Sequence, residues 1–212
     1  MNESAVSDPV GTERTIAVLS DLTAPHPRDL ARLRERFERT AVREDLVDVA
    51  YTHVDSPIGS LLLAATKVGL VRVAFALEDH DQVLQSLATS LSPRIVQVRQ
   101  RLDAVVREFD EYFDGRRRHF DVALDHVLSH GFRLLVQRQL TEIAYGDTAS
   151  YAAVATTVGR PRAVRAVGSA CATNPLPIVV PCHRVLRSDG TLGGYRGGLD
   201  AKRVLLALES RA

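Results

Sequence analysis

The hydrophobic rhythm of this chain changes once, near residue 125, and that change limits the folds open to it. Before it, apolar residues gather in short runs rich in Val, Leu and Ala, at 47–54, 60–65 and 70–76, the habit of strands. The breaks between them, Ser56-Pro57-Ile58-Gly59 and Lys67-Val68-Gly69, carry turn chemistry and predict an antiparallel meander. A helix over 81–91 and a strand over 94–98 follow. Leu102, Val105, Phe109 and Phe113 then share one face of a helix ended by Gly115, and "HFDVAL" reads as one more strand.

After about Asp125 the spacing is helical. Ser129 is a candidate N-cap for a helix through Phe132, Leu135 and Leu140, which "AYGDTAS" terminates. "SYAAVATTVG" reads as a second helix capped by Ser150, and "RPRAVRAVGSACATN" as a third with Pro161 near its first turn. Two helices joined by a Gly-Arg-Pro turn form the pattern of a helix-turn-helix.

The expected organisation is therefore α+β, in three parts. Residues 1–45 are an extension, polar and flexible to about residue 24. Its "HPRDLARLRERFERTAV" sets Leu30, Leu33, Phe37 and Val42 at helical spacing among Arg and Glu, a surface helix with an apolar stripe. Residues 46–127 form an α/β domain and residues 128–212 a mostly helical one. At 45% hydrophobic and 25% charged, the 212 residues have the composition of an ordinary globular protein. The start lacks a basic n-region and an apolar h-region, and no apolar run approaches the roughly 20 residues of a membrane span. Two cysteines, Cys171 and Cys182, do not make a disulfide scaffold or a zinc site. A reactive thiol needs a reducing compartment, so a cytoplasmic protein with no membrane partner is expected.

The net charge of +1 conceals an asymmetry. Residues 159–203 hold eight Lys/Arg against Asp189 and Asp200, a local +6, and the rest of the chain sums to −5. Such a segment is either a solvated basic face or the meeting place of an anionic partner such as a phosphate backbone.

Within it, "IVVPCHRVLRSDGTLGGYRGG" delivers the pair Cys182-His183 from an apolar run. A free cysteine is commonly a small buried hydrophobe. His183 and Arg184, however, supply positive potential that favours thiolate, the nucleophilic form. Adjacent side chains diverge in helices and strands, so a thiol and imidazole so placed would communicate through a water. A carboxylate on the far side of the ring would hold the tautomer.

"NPLPIVVPCHRVLRSDGTLGGYRGG" resembles the active-site signature of the O6-alkylguanine-DNA alkyltransferases, also called methylated-DNA–protein-cysteine methyltransferases. The Asn-Pro turn, the Pro-Cys-His-Arg core and the Gly-Tyr-x-Gly-Gly loop occur in order. The likeness extends upstream through "YGDTASYAAVATTVGRPRAVRAVGSA" and downstream to "KRVLLALE". It is looser at "DSPIGSLLLAAT" and "FDEYF".

The resemblance implies an N-terminal ribonuclease-H-like α/β domain, followed by a mostly helical domain with the helix-turn-helix and the active-site cysteine. It implies DNA repair: the protein would bind duplex DNA, flip an O6-alkylguanine (O4-alkylthymine also) and take the alkyl group irreversibly onto Cys182. His183 would act as base through a water, Glu209 would complete the relay, and Asn174 would tie the helix-turn-helix to the active-site loop. Tyr151 would rotate the 3′ phosphate and donate a proton towards the leaving guanine. Arg165 would fill the stack, because a thiol cannot reach a base oxygen inside a duplex. Ala163 and Val164 would let the helix close on the minor groove, with Arg160 and Arg162 also at the DNA.

In the pocket, Tyr195 would form a wall and the Arg196 N–H would meet the guanine oxygen. The carbonyls of Cys182 and Val185 would accept the guanine amino group, and Cys171 would line the pocket. No cofactor or metal is implied. The expected partner is duplex DNA containing alkylated guanine, met by a monomer, with cooperation along DNA left open. The chain departs from the family in its long N-terminal extension and in lacking the tryptophan and glutamine near the start of "GFRLLVQRQL". A non-catalytic damage sensor on the same fold is the alternative. It would not require the set Cys182, His183 and Glu209. A cysteine hydrolase would need an oxyanion arrangement that this motif lacks.

Overall fold

The computed structural model describes residues 26–210, so the expectation for residues 1–24 lies outside the described residues. The chain divides into two units, Met1–Asp45 and Leu46–Ala212. The first contains helix α1 (Pro27–Arg43). The His26 side chain accepts from Arg28 N (3.2 Å) at its start, and Leu30, Leu33 and Phe37 are exposed along it.

In the second unit, β1 (Val49–Val54), β2 (Leu61–Ala65) and β3 (Leu70–Phe75) form the expected antiparallel meander. After α2 (His80–Ser90), β4 (Ile95–Gln97) joins β1 in parallel, giving the order β3-β2-β1-β4. Every residue of β2 and β3 is buried, so both faces of the sheet are covered. Leu62, Ala64, Val71 and Ala74 pack with Val83 and Leu87 of α2 on one of them. Helix α3 (Asp103–Phe113) presents Val105, Phe109 and Tyr112 to the interior.

"HFDVAL" is not a strand. It makes a single bridge, Leu70 to Leu124, with Leu70 N donating to Ala123 O and Asp125 N to Leu70 O, both at 2.8 Å. Phe120 leaves the strand path to pack on Phe109 (5.0 Å between centroids) and Tyr112 (5.3 Å), and aromatic burial outweighs further pairing. Farther along β3, Val73 N donates to Pro175 O (2.9 Å), from the second half of the chain.

The helical part begins with α4 (Gly131–Leu140). Its N-cap is His130, not Ser129, whose hydroxyl is buried without a partner. Leu135 faces outward, and Val136 and Leu140 form the buried face instead. Helix α5 (Tyr151–Thr157) is capped as expected, Ser150 Oγ accepting from Ala153 N (3.0 Å). Helix α6 (Val164–Ala172) starts three residues after Pro161, because Arg160–Ala163 close a turn (Ala163 N to Arg160 O, 2.8 Å) that leaves Ala163 as N-cap. Strand β5 (Ala149–Ser150) pairs in parallel with β6 (Val185–Leu186), and α7 (Gly198–Glu209) ends the described chain. Among the described residues, no helix is long and apolar enough to cross a membrane.

Gly69 is where the bridging segment meets the meander. A Cβ there would overlap the carbonyl of Ala123, which is backbone and cannot swing away. Gly69→Ala is expected to destabilise the protein by about 2 kcal/mol or more, read as a lower denaturant midpoint. An unchanged midpoint would mean that residues 119–125 do not pack there.

Candidate active site

Three elements bring Cys182 into place. The run from Pro175 to Ile178 is buried, and Ile178 holds φ +75°, a conformation a β-branched residue rarely adopts. Cys182–Arg184 then form a single 3-10 turn, with Cys182 N donating to Val180 O (2.8 Å) and Arg184 N to Pro181 O (3.0 Å). Asn174, just after α6, fixes the loop from the side. Its Nδ2 donates to Val180 O (2.8 Å) and Cys182 Sγ (3.3 Å), and its Oδ1 accepts from Leu176 N (3.0 Å). Within the turn the neighbouring side chains diverge, Cys182 to Asn174 and His183 to α7.

His183 Nε2 lies 2.9 Å from Glu209 Oε1, both groups being buried. The same carboxylate accepts from Arg184 through Nε (2.8 Å) and Nη2 (2.9 Å), from the Tyr112 hydroxyl (2.6 Å) and from Gly146 N (3.4 Å). Burial by itself would raise the Glu209 carboxyl. Hydrogen bonds from His183 and Arg184 outweigh it and hold the group far below the usual carboxylate range. Burial also pushes the Tyr112 phenol up, aided by the Glu209 charge, so it remains a donor.

An ionised carboxylate only accepts, so the Nε2 of a neutral His183 carries its proton and Nδ1 holds the lone pair. Nδ1 is buried and has no hydrogen-bond partner among the described residues. Burial lowers the His183 pKa, opposed by the hydrogen bond and charge of Glu209 and assisted by the positive charges of Arg184 and Lys202. The result is a neutral imidazole, held from behind through Nε2 by Glu209.

Burial pushes the Cys182 thiol up, opposed by the Asn174 hydrogen bond and the positive charge of Lys202. Lys202 is wholly buried, and its Nζ donates to Val185 O (2.6 Å). The Val185 carbonyl expected to face guanine is thus already engaged on one side. Cys171 is buried, and burial drives its thiol up to about 12.

The facing cleft, about 530 Å³, runs between α6 and the glycine-rich loop. Tyr151, Val164, Arg165, Tyr195 and Arg196 line it. Cys182, 4% exposed, Cys171 and Val185 do not. Arg160, Arg162 and Ala163 border a separate shallow concavity at the helix-turn-helix turn. Gly193 belongs to the cleft wall because a Cβ there would run into the Tyr151 ring and hydroxyl.

Sequence reasoning missed Tyr112, Lys202 and the grip of Arg184 on Glu209. Lys202, Leu205 and Glu209 fall at i, i+3 and i+7, one buried face of α7, so the signal for Lys202 was a charge on an apolar stripe. Tyr112 is 97 residues from Glu209, and nothing local marks it.

Comparison with known proteins shows the family. Residues 49–126 match the family model for the 6-O-methylguanine DNA methyltransferase ribonuclease-like domain, and residues 131–211 that for its DNA binding domain. A methylated-DNA–protein-cysteine methyltransferase of Mycolicibacterium paratuberculosis is 41% identical over 165 residues, 77% of this chain and 93% of the relative. One from Methanosarcina barkeri is 38% identical over 75% of this chain and 96% of its own length. The crystal structure of Mycobacterium tuberculosis O6-methylguanine methyltransferase superposes with TM-score 0.65 at 37% identity, covering 77% of this chain and 93% of that one. A second, from the same organism in complex with DNA, gives TM-score 0.64 at 36% identity over 76% and 93%. The sheet followed by the helix-turn-helix and the buried cysteine is the fold of these enzymes, and the chain belongs to the 6-O-methylguanine DNA methyltransferase family.

Proposed function

We propose that this protein repairs duplex DNA by taking the alkyl group from O6-alkylguanine onto Cys182, once per molecule. In that reaction the S–C bond forms as the C–O6 bond breaks. The thiol proton passes towards His183 Nδ1, and the departing guanine gains a proton, with Tyr151 as its donor. The observation that carries this reading is the unpartnered, buried Nδ1 of His183, a ring held from behind by Glu209 and one residue from a buried thiol.

The remaining roles follow. Arg165 and Val164, on the exposed first turn of α6, enter the minor groove, and Arg160, Arg162 and Ala163 meet the backbone beside it. The flipped base occupies the cleft between Tyr151 and Tyr195. The Arg196 N–H meets O6, Cys171 and Val185 back the pocket, and the Cys182 and Val185 carbonyls receive the amino group. Residues 128–212 bind DNA and accept the alkyl group, residues 46–127 support them, and residues 1–45 are an appendage. The protein acts as a monomer in a reducing compartment, the cytoplasm.

Intact-mass spectrometry after incubation with a duplex carrying one O6-methylguanine should show one added CH₂, about 14 Da, on the Cys182 peptide, without turnover. Cys182→Ala should lose transfer and keep DNA binding. An alanine variant that still becomes methylated would overturn the assignment.

The pH dependence carries a sign. The folded pKa values of both His183 and Glu209 lie below their ordinary 6.5 and 4.5, so the unfolded chain binds protons that the folded site refuses. Their contribution to stability is present above those values and is lost as pH falls, first for His183 and then for Glu209. Alkylation should persist below about pH 6.5, because the base stays neutral there. The melting temperature should drop between about pH 7 and pH 5. His183→Gln should shrink that drop, whereas an identical drop in the variant would assign it to other groups, such as His53 and His126, whose pKa values burial also lowers.

A further inference from the structure

Tyr195 and Arg196 line one side of the cleft, and of the groups around Cys182 and Glu209 the His183 ring meets Tyr195 edge-on, at 6.4 Å between centroids, while the polar grip on this loop comes from elsewhere. A cluster from the N-terminal sheet supplies it. Glu78, in the 3-10 turn after β3, accepts on Oε2 from both Arg72 Nη2 and Arg196 Nη1, the latter at 3.2 Å. Its Oε1 accepts from Phe75 N (3.0 Å). Arg72, on β3, also donates through Nη1 to Val73 O (3.0 Å) and Pro175 O (3.3 Å), and Pro175 adjoins Asn174. Arg196 Nε donates to the carbonyl of Ala172, the last residue of α6 (3.1 Å).

The side chains of Arg72 and Glu78 are 8% and 12% exposed, and that of Arg196 32%. Packing reinforces the charges. The Phe75 ring meets Tyr195 edge-on at 5.4 Å between centroids, and a Cβ on Gly197 would stand 2.7 Å from that ring. One carboxylate between two guanidiniums ties β3 to the loop: removing Glu78 leaves two arginines facing each other without a counter-charge, and removing Arg196 unties the loop from the Arg72–Glu78 pair.

We propose that Arg72, Glu78 and the Arg196 side chain form a clamp that positions the Tyr195–Gly197 wall against the end of α6 and thereby sets the rate of alkyl transfer. They are positioning residues, supplied largely from outside the half that carries the chemistry. This inference rests on the alkyl-transfer reading, in which the Arg196 N–H must meet O6. The Arg196 guanidinium borders the cleft but is turned to Glu78 and Ala172, so its charge is engaged within the protein. A wall with glycines at 193, 194, 197 and 198 has no stiffness of its own, and a misplacement near 1 Å is enough to slow a reaction greatly.

The test uses the full chain with Arg196→Met, Arg196→Lys, Glu78→Gln and the Glu78→Gln/Arg196→Met double variant. Three quantities are compared: the alkylation rate at saturating duplex with one O6-methylguanine, the Kd for that duplex, and the rate with the free base O6-benzylguanine. Arg196 is part-exposed on a loop, so its variants test the clamp even if melting shows Glu78→Gln unfolded. Arg196→Met should slow alkylation on the order of tenfold on both substrates, with Kd within about twofold of wild type. Arg196→Lys, still cationic, should recover most of the rate, and the double variant should be no slower than the slower single one, as for residues acting through one contact. An unchanged Arg196→Met rate, a lysine variant no faster than the methionine one, or additive losses would each overturn the clamp. So would a loss confined to the DNA substrate, which would make Arg196 a DNA contact. Wild-type protein that alkylates neither substrate would sink the alkyl-transfer reading itself, and the clamp with it.

Discussion

A carboxylate taken out of water stays ionised only where donors replace its solvent, and Glu209 obtains them from three parts of the chain. His183 and Arg184 come from the 3-10 turn, Gly146 from the loop after α4, and Tyr112 from α3 of the N-terminal half. Without these bonds, burial would drive the group towards its neutral form, and it would no longer dictate the His183 tautomer. The position of α7, the direction of the imidazole and the contact between the two halves of this unit therefore meet at one side chain.

The N-terminal sheet is thus part of the site although it contributes no reacting group. Tyr112 reaches Glu209, β3 pairs with the carbonyl of Pro175 through Val73 N, and Arg72 and Glu78 reach Pro175 and Arg196. These contacts fall on both sides of the active-site turn, at the loop that enters it and at the loop that follows. Almost all are hydrogen bonds with buried or half-buried partners, which are directional and resist small displacements. A sheet anchored this way fixes backbone position where packing of Ala, Val and Leu alone would tolerate sliding.

Much of this was legible in the sequence because period and turn chemistry are local. The meander, the Ser150 cap and the pairing of α5 with α6 follow from spacing within about ten residues. "HFDVAL" misled because its alternation was real, but Phe120 had aromatic partners in α3 that no local pattern reveals. Ser129 failed as a cap because the chain turned two residues later, at Gly131 with φ +56°, leaving His130 as the N-cap. Cys182, His183, Glu209 and Asn174 were found through a motif, and motifs record residue types. What the site adds to them — Tyr112, Lys202, and Arg72 with Glu78 — are partners at long range, chosen by the fold.

The resting state of Cys182 presents an apparent conflict, since thiolate is the reactive form and burial favours the thiol. On the alkyl-transfer reading this is an advantage for a molecule that acts once. A protonated, nearly enclosed sulfur reacts slowly with stray electrophiles and oxidants, which would otherwise consume the molecule without repair. Asn174 and Lys202 do not make the thiolate stable; they lessen the penalty of forming it, by a hydrogen bond at 3.3 Å and a buried positive charge. On that reading the proton passes towards His183 Nδ1, and it leaves to advantage only when a departing guanine consumes it. Reactivity is thereby conditional on a correctly seated base, and a cleft that orders Tyr151, Tyr195 and Arg196 around that base acts as selector and trigger at once.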